Sequence, residues 1–548
     1  MIRRTLAAGA AVLGVFALPH AGVAQGTAEG PTDGTYAELD RAVREALEET
    51  GTPGAAWAVL DVGTGEGAEE SEETGSEGEA TDPNGEAGSG EDADPGGESD
   101  GEHGESPGGK EQKDTAGPSD ESSVDAVHHV PGVVHTGTFG DDGDGEPVKE
   151  TTPFLWGSVG KPMTSTLILS LQEDGLLDTA DPVSAHLPDF APVYEGEPAD
   201  PTIAQLLSHS AGTPPDQFTD AVDLGRTEPD AVSEAASLLD EVELAYAPGT
   251  GYQYNSADYL LLGAIVESVT GATFAEQMRV RVFDPLGMDV VLAGDDRMPP
   301  GHRQFFGFPV TYESPTDVSG LPYGGTTGGD LESLSRFAAA MLGRGELDGS
   351  RVLTEESVAE AWEPHVDSSV QNYGYGWSVG ELAGGEPAVW HTGATVGYES
   401  VLIVMPEAGK AVAVMQNTFG LARGSQLVNA SLNAAAVLTG AEREDSGPDP
   451  ALTWIPWVGA GLTVVVAVWL GVSLKRGRSV TRSVAGGIAW AAGGVLVSGS
   501  LLVVLPHFGG LPLVFLWRWL PDIALVLTTT ATAFAALAAV KSFRRFKR

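Results

Sequence analysis

The hexapeptide Trp156-Gly157-Ser158-Val159-Gly160-Lys161 runs into a helix-period apolar series, Met163, Leu167, Ile168 and Leu171, and its reading decides the fold. A helix starting at Ser158 sets Ser158 and Lys161 three residues apart on one face, where hydroxyl and amine can share a proton. Serine is a poor nucleophile at neutral pH, and a lysine partly stripped of water can hold the neutral amine that activates it. The helix start would add free backbone N–H groups and positive dipole beside a developing oxyanion, and Pro162 fits a first turn. Four letters, S-x-x-K, recur by chance in chains of this length, and a surface helix accounts for them equally well.

Two further stretches give the tetrapeptide its weight. Ala247-Pro248-Gly249-Thr250-Gly251-Tyr252-Gln253-Tyr254-Asn255-Ser256 is a turn leading into a helix whose apolar residues are Leu260, Leu261, Ile265 and Val269, closed by Gly271. His391-Thr392-Gly393 lies in a region from Tyr373 to Thr418 of short β-rich runs between glycine turns: Tyr375–Val379, Ala388–His391, Tyr398–Met405 and Ala411–Gln416. At the other end Tyr36–Glu49 is an amphipathic helix, Gly54–Val62 a strand and Val130–Phe139 another. Helices are expected at Ile203–Leu207, Phe274–Phe283, Leu331–Leu342 and Glu355–Trp362. Strands at both ends with helices between predict an α+β fold, one antiparallel sheet assembled from both ends of the region and flanked by helices, with a mostly helical subdomain.

The order and wide spacing of Ser158-x-x-Lys161, Tyr254-Asn255-Ser256 and His391-Thr392-Gly393 resemble the serine β-lactamase and penicillin-binding-protein superfamily. The similarity is to the branch of class C β-lactamases, D-alanyl-D-alanine carboxypeptidases, D-aminopeptidases and related esterases. Leu206-Leu207-Ser208-His209-Ser210-Ala211-Gly212, Pro285-Leu286-Gly287-Met288, Gly328-Gly329-Asp330-Leu331 and Tyr375-Gly376-Trp377 resemble that branch too, and the likeness covers about residues 36–62 and 130–420. It implies a β-lactamase/transpeptidase-like fold, Ser158 as acylated nucleophile, Lys161 as its proton partner and Tyr254 as proton shuttle, its phenol kept acidic by neighbouring cations. By the same resemblance the backbone N–H groups of Ser158 and Ala394 form the oxyanion hole, and Ser256, His391, Thr392 and Gly393 meet substrate. Ser256 stands where many relatives carry asparagine, and serine is shorter and donates differently. His391 stands where β-lactamases usually carry lysine, which favours peptide amide or ester substrates over efficient antibiotic hydrolysis. A membrane sensor acylated without turnover, or a true β-lactamase, are the alternatives.

Other hydrolase chemistries fit less well. Neither Ser158 nor Ser210 sits in a Gly-x-Ser-x-Gly elbow, His128-His129 are adjacent, and no His-Glu-x-x-His occurs. No metal or cofactor is expected. The 548 residues include no cysteine, so disulfides and thiolate sites are excluded. A formal net charge of −49 argues against nucleic acid as partner, leaving a small-molecule or peptide substrate, of cell-wall type in the peptidase relatives.

Residues 1–24, with Arg3, Arg4 and an apolar run from Leu6 to Leu18, read as an export signal. A hydrolase domain is expected over 35–440, interrupted by an acidic insert at about 63–126 too poor in apolar residues to fold. A linker, 441–451, leads to a membrane anchor, 452–548, with spans at 452–474, 484–505 and 523–540. Gly510–Leu520 is too short to cross and should lie at the interface, with Asp522 at the boundary. Lys475, Arg476, Arg478 and Arg482 follow the first span, and Lys541, Arg544, Arg545, Lys547 and Arg548 the third. Positive segments stay in the cytoplasm, so three crossings place the hydrolase region outside the cell membrane and the C-terminus inside.

Overall fold

Strand β1 (Gly54–Asp61) reads Gly-Ala-Ala-Trp-Ala-Val-Leu-Asp, and all but its last residue are buried. Alternation sends Ala55, Trp57 and Val59 into one core and Ala56, Ala58 and Leu60 into another, so the sheet must be covered on both faces. The computed structural model describes residues 33–63, 129–214, 225–366, 372–443, 445–475, 483–508 and 511–546. The expected export signal, the acidic insert beyond Gly63, and Arg476, Arg478, Arg482, Lys547 and Arg548 lie outside the described residues.

The sheet is antiparallel. With β2 (Val133–Gly140), β3 (Asn372–Tyr373), β4 (Ser378–Glu381), β5 (Pro387–Thr395), β6 (Tyr398–Met405) and β7 (Lys410–Gln416), its spatial order is β3-β4-β5-β6-β7-β1-β2. The N-terminal pair joins the late meander where β1 meets β7, with Ala55 opposite Gln416 and Asp61 opposite Lys410. Helix α1 (Asp33–Thr50) covers one face with Leu39, Val43 and Leu47. The other face carries α2 (Gly160–Glu173), α3 (Ser256–Thr270) and α4 (Leu331–Leu342), through Met163, Leu167, Leu260, Leu261, Leu334 and Phe337. Helix α5 (Asn429–Thr439) lies beside α1 and adds Ala430, Ala434 and Leu438. This is the mixed fold with antiparallel sheet that the sequence predicts, and it is of β-lactamase/transpeptidase type.

Helices α6 (Pro450–Lys475), α7 (Val484–Gly499, continued by a π turn to Val504) and α9 (Pro521–Phe546) are long and apolar enough to cross a membrane; α8 (Leu513–Trp519) has only seven residues. A Cβ on Gly459 would stand 2.2 Å from Val526 and one on Gly494 2.4 Å from Ala538, so glycine lets α6 and α7 close on α9. At one end Arg544 donates to the Leu474 carbonyl at 3.1 Å, gathering Lys475, Lys541, Arg544 and Arg545. Trp454, Trp457 and Asp522 mark the opposite end.

Two segments depart from expectation. Tyr375–Val379 is not one strand: Gly374–Trp377 turns, with Gly376 at φ +78° and no room for a Cβ, which would stand 2.5 Å from Ser165 Oγ and 2.9 Å from the Lys161 carbonyl. The chain bends there to let α2 pass. Gly301–Phe305 and Phe308–Tyr312 form a hairpin the sequence did not announce, beside the short strand Thr418–Phe419.

Glu399 on β6 pairs across the sheet with Ala394. Its Oε2 accepts from Gln416 Nε2 at 2.7 Å while Oε1 has no partner. Burial pushes this carboxyl up to about 8, against the Gln416 bond. Above its unfolded value of 4.5 the folded chain keeps a proton the unfolded chain has lost, so this group's stabilisation is complete below 4.5 and drains away as pH rises to about 8. Glu399→Gln should therefore raise the melting temperature relative to the parent progressively between about pH 5 and pH 8; a constant difference across that window would refute a buried protonated acid.

Candidate active site

Ser158 is presented by a short strand and a tight turn. Phe154–Leu155 pairs with Gly328–Gly329, Trp156 is fully buried, and a 3-10 turn over Gly157–Val159 runs straight into α2. Gly157 adopts φ +54°, and a Cβ there would stand 2.5 Å from the backbone nitrogen of Ala394. A Cβ on Gly393 would meet the Trp156 carbonyl at 1.9 Å and the Ser158 nitrogen at 2.9 Å. Two glycines thus let the Ser158 turn and β5 approach closely enough to bring both expected oxyanion donors into one neighbourhood. Beyond Trp390, β5 has left β4 and, among the described residues, pairs as a strand only with β6, so its other edge is unpaired there.

Lys161 is wholly buried. Its Nζ lies 3.0 Å from Ser158 Oγ, 3.2 Å from Ser256 Oγ and 3.3 Å from the Tyr323 carbonyl. Burial holds this amine well below the usual lysine range, with only the charge of Asp258 opposing. Burial thus favours the neutral amine, the form able to accept the Ser158 proton.

Tyr254 and Ser256 are set by the start of α3. Asn255, φ −151°, caps the helix by accepting from the Ala257 N–H at 2.9 Å and ties its own amide to the Pro214 carbonyl at 3.0 Å. The residues on either side therefore project with little freedom. The Tyr254 phenol hydrogen-bonds Ser158, and the Lys161 Nζ stands 4.8 Å from its ring centre. The expectation that cations keep this phenol acidic is corrected: burial dominates and pushes the phenol up, opposed only by the Ser158 bond.

His391 is fully buried on β5. Burial, then the proximity of Lys161, pushes its imidazole down to about 3. Its Nδ1 is 2.6 Å from the Thr392 carbonyl and so carries the proton; Nε2, 2.9 Å away, accepts from the Tyr373 hydroxyl. Both ring nitrogens are occupied, and the ring offers no charge to a substrate carboxylate. Thr392 lies opposite Val401, whose side chain belongs to the core under α1, so alternation turns its hydroxyl away from Ser158. Its part at the cleft is backbone.

The sequence reading missed a buried wall behind Tyr254. His209, at φ +56°, packs its ring 4.4 Å from Tyr254 and 5.0 Å from Tyr373. Its Nδ1 is 3.0 Å from Asp258 Oδ2, and Thr213 donates to Asp258 Oδ1 at 2.6 Å. Burial holds His209 far below and Asp258 far above their ordinary values. The Leu206–Gly212 motif was noticed, but its pairing with Asp258, 49 residues later, has no local signature.

The chain resembles known proteins. The family model described as Beta-lactamase matches residues 108–436. Penicillin-binding protein 4 of Amycolatopsis lactamdurans is 32% identical over 311 residues, 52% of this chain and 76% of that protein. Unguisins hydrolase ungD' of Aspergillus campestris (strain IBT 28561) is 24% identical over 384 residues, 63% and 69% of the two chains. The solved octameric penicillin-binding protein homologue from Pyrococcus abyssi has a TM-score of 0.54 and 20% identity over 78% of this chain and 82% of its own. A family match over more than half the sequence, on a frame shared with that homologue, supports one conclusion: the chain belongs to the Beta-lactamase family, in the serine β-lactamase and penicillin-binding-protein superfamily of hydrolases.

Proposed function

We propose that this chain is a membrane-anchored, extracytoplasmic serine hydrolase that works through an acyl-enzyme on Ser158 and takes uncharged peptide amides or esters. The observation that carries the reading is a fully buried Lys161 amine 3.0 Å from Ser158 Oγ, which burial pushes toward its proton-accepting form. Lys161 takes the hydroxyl proton as Oγ bonds to the substrate carbonyl carbon. The Ser158 and Ala394 N–H groups hold the carbonyl oxygen as it gains charge. Tyr254 delivers a proton to the departing amine or alcohol when its bond to the acyl carbon breaks, and the proton Lys161 took from Ser158 replaces it on the phenol. Water then hydrolyses the acyl-serine ester and restores the hydroxyl.

Ser256 belongs to the same proton cluster, and Gly393 with the backbone of Thr392 forms the edge along which substrate lies. His391 is neutral and committed to Tyr373, so nothing at that position grips a carboxylate, which favours esters and amides without one. The hydrolase domain spans about 35–440, with the acidic insert a passive interruption. The linker 441–451 and the anchor 452–548 follow, and the basic residues gathered where α6, α7 and α9 meet support a cytoplasmic C-terminus.

The test is a substrate panel on the full chain in lipid nanodiscs: a D-alanyl-D-alanine peptide, a D-amino-acid amide, a short acyl ester and a cephalosporin, compared by kcat/KM. The ester or amide should lead. A Ser158 adduct that forms and never clears would favour an acylatable sensor, and a leading cephalosporin a β-lactamase. The same assay reads the amine: kcat/KM should rise with pH along a limb lying well below 10.5, the ordinary lysine value, because only neutral Lys161 accepts the proton. A limb near 10.5 would remove Lys161 from that role.

A further inference from the structure

The 301–312 hairpin reads Gly-His-Arg-Gln-Phe-Phe-Gly-Phe-Pro-Val-Thr-Tyr and holds no acidic residue, in a chain with 78. It is rooted beside the oxyanion strand: His302 N–H donates to the carbonyl of Gly397, in the turn that ends β5, at 3.1 Å. Its tip is a tight turn with Phe306 at φ +52° and Gly307 at φ +81°. A bulky aromatic residue rarely holds a left-handed conformation, and here the anchor holds it. The Phe306 N–H donates to Asp522 Oδ2 at 3.0 Å, at the first turn of α9. The Phe306 ring packs edge-on against Trp457 of α6, centroids 4.9 Å apart. Arg303 reaches the Trp517 carbonyl of α8 at 3.5 Å.

The tip therefore sits level with the tryptophans that open the membrane-length helices, where aromatic residues mark a bilayer boundary. Phe308 is 64% exposed and Val310 44%, beside that level. The back of the cleft meets the same boundary. Ala394, whose N–H faces the Ser158 turn, packs its side chain against the cluster formed by Phe419, Leu427, Phe515, Leu516 and Leu520. One layer of side chains, about 10 Å, separates the oxyanion strand from α8.

We propose that this hairpin is a membrane-inserted edge. Phe306, Phe308 and Val310 enter the leaflet on the hydrolase side, and the free edge of β5 receives amphiphilic esters or amides whose long apolar chain stays in lipid. The substrate class rests on the acyl-enzyme reading above; the position of the hairpin does not. Lipid is the occupant because the patch continues the surface of the anchor helices, residues 301–312 carry no carboxylate, and the one at the tip, Asp522, is engaged by the Phe306 N–H.

The chain has no cysteine, so single labels are specific. Phe308→Cys and, as reference, Val280→Cys, 64% exposed on the helical segment after Phe274, are coupled to a fluorophore in the full chain. Both are placed in phosphatidylcholine nanodiscs containing lipid with a nitroxide near the headgroup. The label at 308 should lose most of its emission and that at 280 almost none; equal emission overturns the inserted edge, as does a shielded but unquenched label at 308, which would place protein there. In a second arm, Ser158 is labelled by a hexadecyl and by an ethyl fluorophosphonate. The paired change Phe308→Asp and Val310→Asp should lower the hexadecyl-to-ethyl rate ratio by about tenfold. An unmoved ratio overturns delivery from the leaflet. If neither probe labels Ser158, the acyl-enzyme reading and the substrate class resting on it fail together, and the quenching still decides where the hairpin lies.

Discussion

Lys161→Met is expected to slow acylation of Ser158 by about 10³-fold. Methionine fills most of the slot the lysine stem occupies and removes the amine placed to accept the hydroxyl proton, 3.0 Å away. Because burial already disfavours the charged amine, its loss should change the melting temperature little while the rate collapses. Ser158→Ala should abolish labelling by a fluorophosphonate or penicillin probe outright. Tyr254→Phe should spare part of the acylation rate and depress turnover of amides more than of activated esters, since an amine leaving group needs the proton and a good alkoxide does not. Single-turnover labelling of the three variants separates these roles. Wild-type acylation in Lys161→Met would overturn the assignment of the base.

Gly393→Ala should have the second largest effect. Its Cβ would come within 1.9 Å of the Trp156 carbonyl, and backbone on both sides leaves no flexible side chain to yield. Strand β5 must move away from the Ser158 turn, separating the Ser158 and Ala394 N–H groups. Loss of one oxyanion donor costs about 10²- to 10³-fold in kcat. The fall should appear in kcat more than in KM, because the donors matter most when charge has built on the carbonyl oxygen. Glycine at 157 imposes the same approach from the other side, so Gly157→Ala, with its φ of +54° and a contact of 2.5 Å to the Ala394 nitrogen, should reproduce the defect. Equal loss of KM and kcat, or none, would show that the approach serves packing alone.

Much of the frame was legible because its signals are local. The helix at Ser256–Thr270 announces itself by an apolar period and a closing glycine, and each does in the fold what its chemistry suggests. The three membrane-length helices follow from length and composition. The sheet is legible in short β-rich runs between glycine turns, but those signals make Tyr375–Val379 one strand where Gly376 bends the chain over α2. The 301–312 hairpin escaped because its tip carries Phe306-Gly307 rather than a favoured turn pair, and the conformation is held by Asp522 and Trp457, more than 150 residues away.

By itself, the order of residues determined the superfamily, through three short motifs and their spacing along the chain, and marked off the membrane-length helices, through length and composition. Protonation was decided by tertiary structure alone. Lys161, His391, His209 and Asp258 are each pushed toward their neutral forms by burial among segments that no spacing relates, and desolvation depends on what surrounds a group in space.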